Sequence, residues 1–467
     1  MAMPLKGSQF LLACCLGAAP FAVAAAGLGD PFDTQAMAPA RPSPAQSGRG
    51  TDVPCAVAAP TGALTAVEVA DLALCNNPQT REVWANARAQ AALVGVARSA
   101  WLPSLDGKGT AGRNWVEGRG TNQNTASLTL SWLLFDFGTR SANVENARQL
   151  LAAFAATQDA TVQQIFLTAL QSYYAAQATR AAVDASREAE RASHESFLAA
   201  DTRYKVGVAT PVDRLQAQTA WSQATLNRIR AEGDARNALG TLANVMGFDA
   251  NQALALADFP AALPEAAFER DINALIDEAR RRRPDLKAAE AQVNAARANV
   301  DVARASGLPT VSLAAGPTWQ ELGGRSTNGG VVGVTLSLPI FSGINTTYRV
   351  RNAEALVETR EAQRERIRQQ VALDVWKAYQ SLVASTQALK TSADLVASAE
   401  ASERMALGRY KAGVGSILDV LNAQSALASA RQQRIQATLD WNVYRAALAQ
   451  SMGALDYSLL LPGEGKQ

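Results

Sequence analysis

Arg203-Tyr204-Lys205-Val206-Gly207-Val208 and Arg409-Tyr410-Lys411-Ala412-Gly413-Val414 are one stretch written twice, with Tyr204 recurring as Tyr410. The same shift carries Asp213 onto Asp419, Leu215 onto Leu421 and Ala217-Gln218 onto Ala423-Gln424. It also pairs Leu102-Pro103 with Leu308-Pro309, Thr129-Leu130-Ser131 with Thr335-Leu336-Ser337, Phe135 with Phe341, and Met246-Gly247 with Met452-Gly453. One offset held along the chain marks a duplicated, domain-sized unit, because solenoid repeats run only about 20–50 residues. We place the two copies at 63–262 and 263–467.

Both copies follow one order. A helix comes first, Asn77 to Ala100 and Asp285 to Ala305, each stopped by Leu-Pro because proline cannot continue a helix. A hairpin follows, Leu105 to Trp115 with Asn124 to Trp132, and Thr310 to Trp319 with Val332 to Leu338. Its turns are expected at Gly118-Arg119-Gly120 and Gly323-Gly324. Period two sends Leu128, Leu130 and Trp132 to one face and Ser127, Thr129 and Ser131 to the other; Val334, Leu336 and Leu338 repeat the apolar set. Such alternation fits a barrel strand with a lipid-facing side and a polar lumen. It also fits a wet sheet packed on a soluble core.

Next come two long runs, Thr139 to Val206 and Ile344 to Leu407, without glycine or proline and rich in good helix formers. A helix of that length reaches about 100 Å and suggests a coiled coil. Each run turns at Tyr-Lys-x-Gly, where Gly207 and Gly413 suit a positive φ, and returns as a helix from Val212 to Ala243 or from Ile417 to Gln450.

Hydrophobic residues are 48% of the 467, charged residues 18%, and the net charge is +2, which excludes a strongly basic nucleic-acid binder. The single histidine, His194, sits in a polar helical stretch and reads as a solvated face residue. No nucleophile–base pair, metal-spaced cluster or phosphate-binding G-x-x-x-x-G-K-[ST] occurs, so neither enzyme activity nor a cofactor is expected.

Positions 1–26 read as an export signal: Lys6, the apolar stretch Phe10 to Ala26, and small-x-small sites at Ala22-Val23-Ala24 and Ala24-Ala25-Ala26. Leu11-Leu12-Ala13-Cys14 offers a lipoprotein box, but the apolar run before Cys14 is short for it. Positions 27–62 are rich in Pro, Gly and Ala and read as a flexible leader. Cys14 and Cys15 leave with the signal, and Cys55 and Cys75 remain. Export permits a disulfide between them; two unpaired thiols are the alternative. No apolar run after the signal is long enough for a membrane helix.

Signal, helix, hairpin, very long helix, turn and return helix, all duplicated, resemble the TolC family of outer-membrane factors. The marks are Tyr204-Lys205-Val206-Gly207 through Asp213, Tyr410-Lys411-Ala412-Gly413 through Asp419, the Leu-Pro strand entries, and the strand exits Phe135 and Phe341. The resemblance implies an α+β fold with four transmembrane β-strands per protomer and coiled-coil helices forming a periplasmic tunnel. Four strands leave two unpaired edges in lipid, so three copies must close a twelve-stranded barrel.

The resemblance further implies an aperture near the tip turns, with Asp419 in an acidic ring and Tyr410 and Asp213 in the link that holds it closed. Gly415 stands where some members carry the link arginine, and Asn422 where they carry a second aspartate. Asp213 and Asp419 equally suit capping of the return helices.

Leu74-Cys75-Asn76-Asn77-Pro78-Gln79-Thr80-Arg81 with upstream Cys55 looks like the subgroup paired with type I secretion of a protein toxin of the adenylate cyclase–hemolysin (cyclolysin) kind. That implies a homotrimer in outer-membrane lipid. Its partners would be a periplasmic membrane-fusion adaptor, an inner-membrane ABC transporter and an exported polypeptide cargo. A drug or metal efflux channel is the alternative within the family, and a coiled-coil structural or adhesive surface protein the alternative outside it.

Overall fold

A computed structural model describes residues 29–39, 62–257 and 271–455. The elements are α1 (Thr34–Met37), β1 (Ala63–Leu64), α2 (Ala66–Asn76), α3 (Pro78–Ser99), β2 (Ser104–Val116), β3 (Arg119–Phe135), α4 (Thr139–Lys205), α5 (Pro211–Val245) and β4 (Ala255–Leu256). The second copy supplies α6 (Ile272–Arg282), α7 (Pro284–Ala305), β5 (Thr310–Leu322), β6 (Arg325–Ser337), α8 (Asn345–Lys411) and α9 (Ile417–Ser451). In the helices the duplication is kept to the residue: α4 and α8 are both 67 residues long, α5 and α9 both 35, α3 and α7 both 22.

Where one opening helix is expected from Asn77, two are found. Asn77 accepts from Gln79 N at 2.9 Å and starts α3, with Pro78 in the first turn, where its missing N–H costs nothing. The long helix α8 also runs on through Gly408 to Lys411, since a lone glycine inside a helix costs only about 1 kcal/mol.

The strands form one antiparallel sheet in the order β2-β3-β5-β6. Its turns have two residues, Glu117-Gly118 (φ 49° and 75°) and Gly323-Gly324 (φ 58° and 85°). Positive φ at both positions matches the strand twist. The first turn therefore lies one residue earlier than expected: Arg119 and Gly120 already pair with Val116 and Trp115.

Register settles the faces. Leu130 pairs with Leu105 and Ala315, Trp132 with Leu313, and Leu313 with Val334; Val311 pairs with Leu336. Directly paired residues share a face, so the apolar sets of both hairpins lie on one side of the sheet. Ser127, Thr129, Ser131 and Thr335 lie on the other. A one-residue bulge between Leu133 and Phe135 keeps Phe135 on the apolar side, opposite Val311. Leu338 lies one residue beyond the end of β6 and is exposed.

Two compact units are found, and neither is a sequence repeat. Among the described residues, one takes 29–39, 86–152 and 291–359; the other takes 62–85, 153–257, 271–290 and 360–455. The first unit holds the sheet. At its strand-to-helix junction Arg140 pairs with Asp136 at 3.2 Å, donates to the carbonyls of Leu133 and Leu134, and stacks over Trp101. The described part of the leader lies against α3 of this unit. Arg98 donates to the Phe32 carbonyl at 3.2 Å, and the Thr34 methyl occupies the space over Gly95, where a Cβ would come within 2.8 Å.

The second unit holds the described core clusters. One gathers Val69, Leu74, Phe166, Leu170, Leu242 and Met246; another gathers Leu275, Val371, Val375, Trp441 and Leu448. Cys75 is buried beside the first and is disulfide-bonded. Cys55, the signal region and most of the leader lie outside the described residues. Among the described residues no helix is long and apolar enough to cross a membrane.

Candidate functional site at the helix turns

Both tip turns are built by the same local chemistry. At the end of α4, Gly207 N donates to the Tyr204 carbonyl at 3.0 Å and Val208 N to the Arg203 carbonyl at 2.9 Å. At the end of α8, Gly413 N donates to Tyr410 and Val414 N to Arg409, both at 3.0 Å. This pair of hydrogen bonds is the Schellman closure, which requires a left-handed residue; Gly207 has φ 79° and Gly413 φ 81°. Nothing lies within 4 Å of a Cβ at either glycine, so backbone conformation alone demands them.

The return helices then open with capping boxes. Thr210 Oγ1 accepts from Asp213 N, while the Asp213 carboxylate accepts from Thr210 N at 2.9 Å. Ser416 Oγ accepts from Leu418 N, and Asp419 accepts from Ser416 N at 3.3 Å. Asp213 and Asp419 therefore do cap their helices. Capping leaves one carboxylate edge of Asp419 free: its side chain is exposed, and Asn422 is exposed one turn further along the same side of α9.

Between the turns sits a small apolar cluster of Ala200, Ala217, Tyr410, Ile417 and Val420. Arg203 crosses from the first repeat to the second: its guanidinium donates to the Tyr410 carbonyl at 2.6 Å and the Lys411 carbonyl at 3.3 Å, and lies over the Tyr410 ring at 4.2 Å. Tyr410 is 6% exposed, and its hydroxyl has no hydrogen-bond partner among the described residues. Burial raises its pKa, Arg203 opposes the rise, and the Asp213 charge adds to it. The ring borders a cavity of about 220 Å³ lined by Glu195, Arg203, Glu403 and Gln424.

Gln424 spans the repeats a second time, donating to Ser196 Oγ at 3.0 Å and to the Ala192 carbonyl at 3.3 Å. Beside it, Asp201 holds Lys205 at 2.7 Å and Arg214 at 2.6 Å. Hydrogen bonds from Lys205 and then Arg214 lower its pKa. Gly415 packs tightly, since a Cβ there would stand 3.0 Å from Arg409 Cβ and from Tyr410 N.

The structure thus brings Tyr410, Asp213 and the two glycines into one tip. It adds Arg203, Asp201, Arg214, Ser196 and Gln424, whose roles sequence reasoning does not supply. Their only signal is that an arginine precedes the tyrosine in both copies of the motif. His194 packs against the Trp221 ring, centroids 4.5 Å apart, instead of standing free in water. Among the described residues no group of His, Cys, Asp and Glu is placed to hold a metal ion.

Duplicated helices of this length, joined to a four-stranded sheet with one apolar face, define an outer-membrane channel subunit of the TolC type. The model of the outer membrane efflux protein family matches residues 69–248 and 275–454, two matches related by the same offset as the repeat, and the chain belongs to that family. It is 32% identical over 406 residues to protein CyaE of Bordetella pertussis, covering 85% of each chain. It is 25% identical to outer membrane protein TolC of Escherichia coli, over 85% of this chain and 83% of that one. Among solved structures, VceC of Vibrio cholerae superposes with a TM-score of 0.71 at 21% identity, over 83% of this chain and 96% of that one.

Proposed function

We propose that three copies of this chain form the outer-membrane export channel of a type I secretion system and pass a polypeptide toxin from an inner-membrane ABC transporter and a periplasmic adaptor to the exterior. The observation that carries the channel reading is the sheet. It gathers the apolar residues of both hairpins on one face and leaves β2 and β6 each with one partner among the described strands. In lipid such edges must be closed by further copies. In this reading Leu128, Leu130, Trp132, Val334 and Leu336 meet hydrocarbon, the threonine- and serine-lined face meets water, and Leu338 lies at the margin.

Asp419 and Asn422, exposed on α9 just past the turn, are the aperture residues of this reading. Three Asp419 carboxylates around one axis favour cations over anions. The bond at Cys75 is proposed to run to Cys55.

The type I assignment rests on the similarity to CyaE, which covers equal shares of both chains at a higher identity than the efflux relatives. Those are 26–28% identical and include the toluene efflux pump outer membrane protein TtgC of Pseudomonas putida. Family membership displaces the adhesive coiled-coil reading. Deleting the gene discriminates the remaining two: loss of a secreted toxin with unchanged drug resistance supports type I secretion, and drug hypersensitivity with normal secretion supports efflux.

A further inference from the structure

The duplication predicts where contacts recur. A contact made inside one repeat should appear again inside the other, and it does. Asn77 Nδ2 donates to the Val245 carbonyl at 3.1 Å; one offset later Arg283 donates to the Ser451 carbonyl at 3.4 Å. The Schellman bonds at Gly207 and Gly413 are a second such pair.

A contact made between repeats behaves differently. A chain with two repeats makes it once, and its counterpart is split, half on each outer flank. Two polar side-chain contacts of this kind at the tip are Arg203 on Tyr410 and Gln424 on Ser196. Shifted by the offset, their counterparts are Arg409 on Tyr204 and Gln218 on Ser402. Residue types are kept at all four positions.

All four counterparts are exposed. Tyr204 is 42% exposed where Tyr410 is 6%, and Leu215 is 55% exposed where its counterpart Leu421 packs against the tip cluster. The acceptor is ready as well. The Tyr204 carbonyl takes the Gly207 N–H, as the Tyr410 carbonyl takes Gly413, and a carbonyl has a second lone pair for a guanidinium.

We infer that Arg409 and Ser402 of one copy meet Tyr204 and Gln218 of the next, reproducing between copies the contact set made inside each chain. The Arg409 guanidinium donates to the Tyr204 carbonyl and stacks on its ring. The Gln218 amide donates to the Ser402 hydroxyl. The two halves are different surfaces, so the contact is head-to-tail and closes as a ring. The inference rests on the three-copy reading above and assigns the residues that join the copies at the tip.

The test uses the full chain purified from outer membranes. The Ser402→Cys/Gln218→Cys variant is treated with a short bis-maleimide and run on a denaturing gel; Ser196→Cys/Gln424→Cys is the internal control. The expected result is a three-chain band for the first variant and a single-chain band for the control. A single-chain band for both, from protein whose native mass is three copies, overturns the contact set and leaves the trimer standing. A native mass of one copy overturns the trimer and the contact set together. In planar bilayers Arg409→Ala should raise the population of the open aperture by about tenfold or more, the effect of one lost charge-assisted hydrogen bond. Unchanged conductance from an assembled trimer contradicts the role of Arg409.

Discussion

Arg140 ties together the strand-to-helix junction of the sheet unit. It is 5% exposed and Asp136 4%, and Arg140 satisfies both that carboxylate and the two carbonyls at the bulge. Removing it strands a buried charge, so Arg140→Ala should lower stability by about 3–5 kcal/mol, read as a shift in the urea midpoint of the purified protein. The second repeat has Ser342 and Thr346 at these positions, joined by one exposed contact of 3.4 Å. Thr346→Ala should therefore cost less than about 1 kcal/mol. Asp201 gives a pH signature at the tip. Its pKa is lowered in the folded chain, so the stability it adds is present above the unfolded carboxylate value and is lost as pH falls through the folded one. Protease resistance of the tip should hold from pH 7 to about pH 5 and fall below about pH 4, with a flatter profile in Arg214→Gln. Neither Arg140 nor Arg203 has a role legible in the sequence. Arg140 acts through carbonyls that a bulge redirects, and Arg203 through a carbonyl in the other repeat.

The elements themselves were far more legible, because proline and glycine punctuate them in both copies. Leu-Pro ends α3 ahead of β2, and Gly207 and Gly413 close α4 and α8. The departures have local causes. Glu117 takes a left-handed conformation that residue type does not announce, which moved the first turn by one residue. The glycine-free run ends at Leu407, yet the helix continues through Gly408, and the closure comes at Gly413, where Tyr-Lys-x-Gly places the turn. Part of the leader is held on α3 by Arg98 and by the gap over Gly95, which only the folded helix reveals. Since the αL conformation costs an L-residue about 1–2 kcal/mol, Gly413→Ala should destabilise the α8–α9 turn by that amount. Faster amide exchange at Gly413 and Val414, with the sheet unchanged, is the expected result.

Across the chain, two copies of one plan are woven into units that each borrow from both. The alternation predicted an apolar face for each hairpin, but only the β3–β5 pairing places the two faces on one side. That side is the proposed lipid surface. A cation at Leu336, which is 66% exposed there, should cost about 2–4 kcal/mol near mid-bilayer. The yield of folded Leu336→Arg in outer membranes should fall, while Thr335→Arg on the opposite face is tolerated. The claim that joins sheet, helices and tip is that the assembled chain is an aqueous conduit closed by an acidic aperture. Single-channel recording of the purified protein in a planar bilayer, beside Asp419→Ala, tests it most directly. Discrete cation-selective steps, blocked by multivalent cations, are expected, with both selectivity and block weakened by the substitution. Folded, membrane-extracted protein that conducts no steps would contradict the conduit, and steps whose selectivity is unchanged in Asp419→Ala would contradict the aperture.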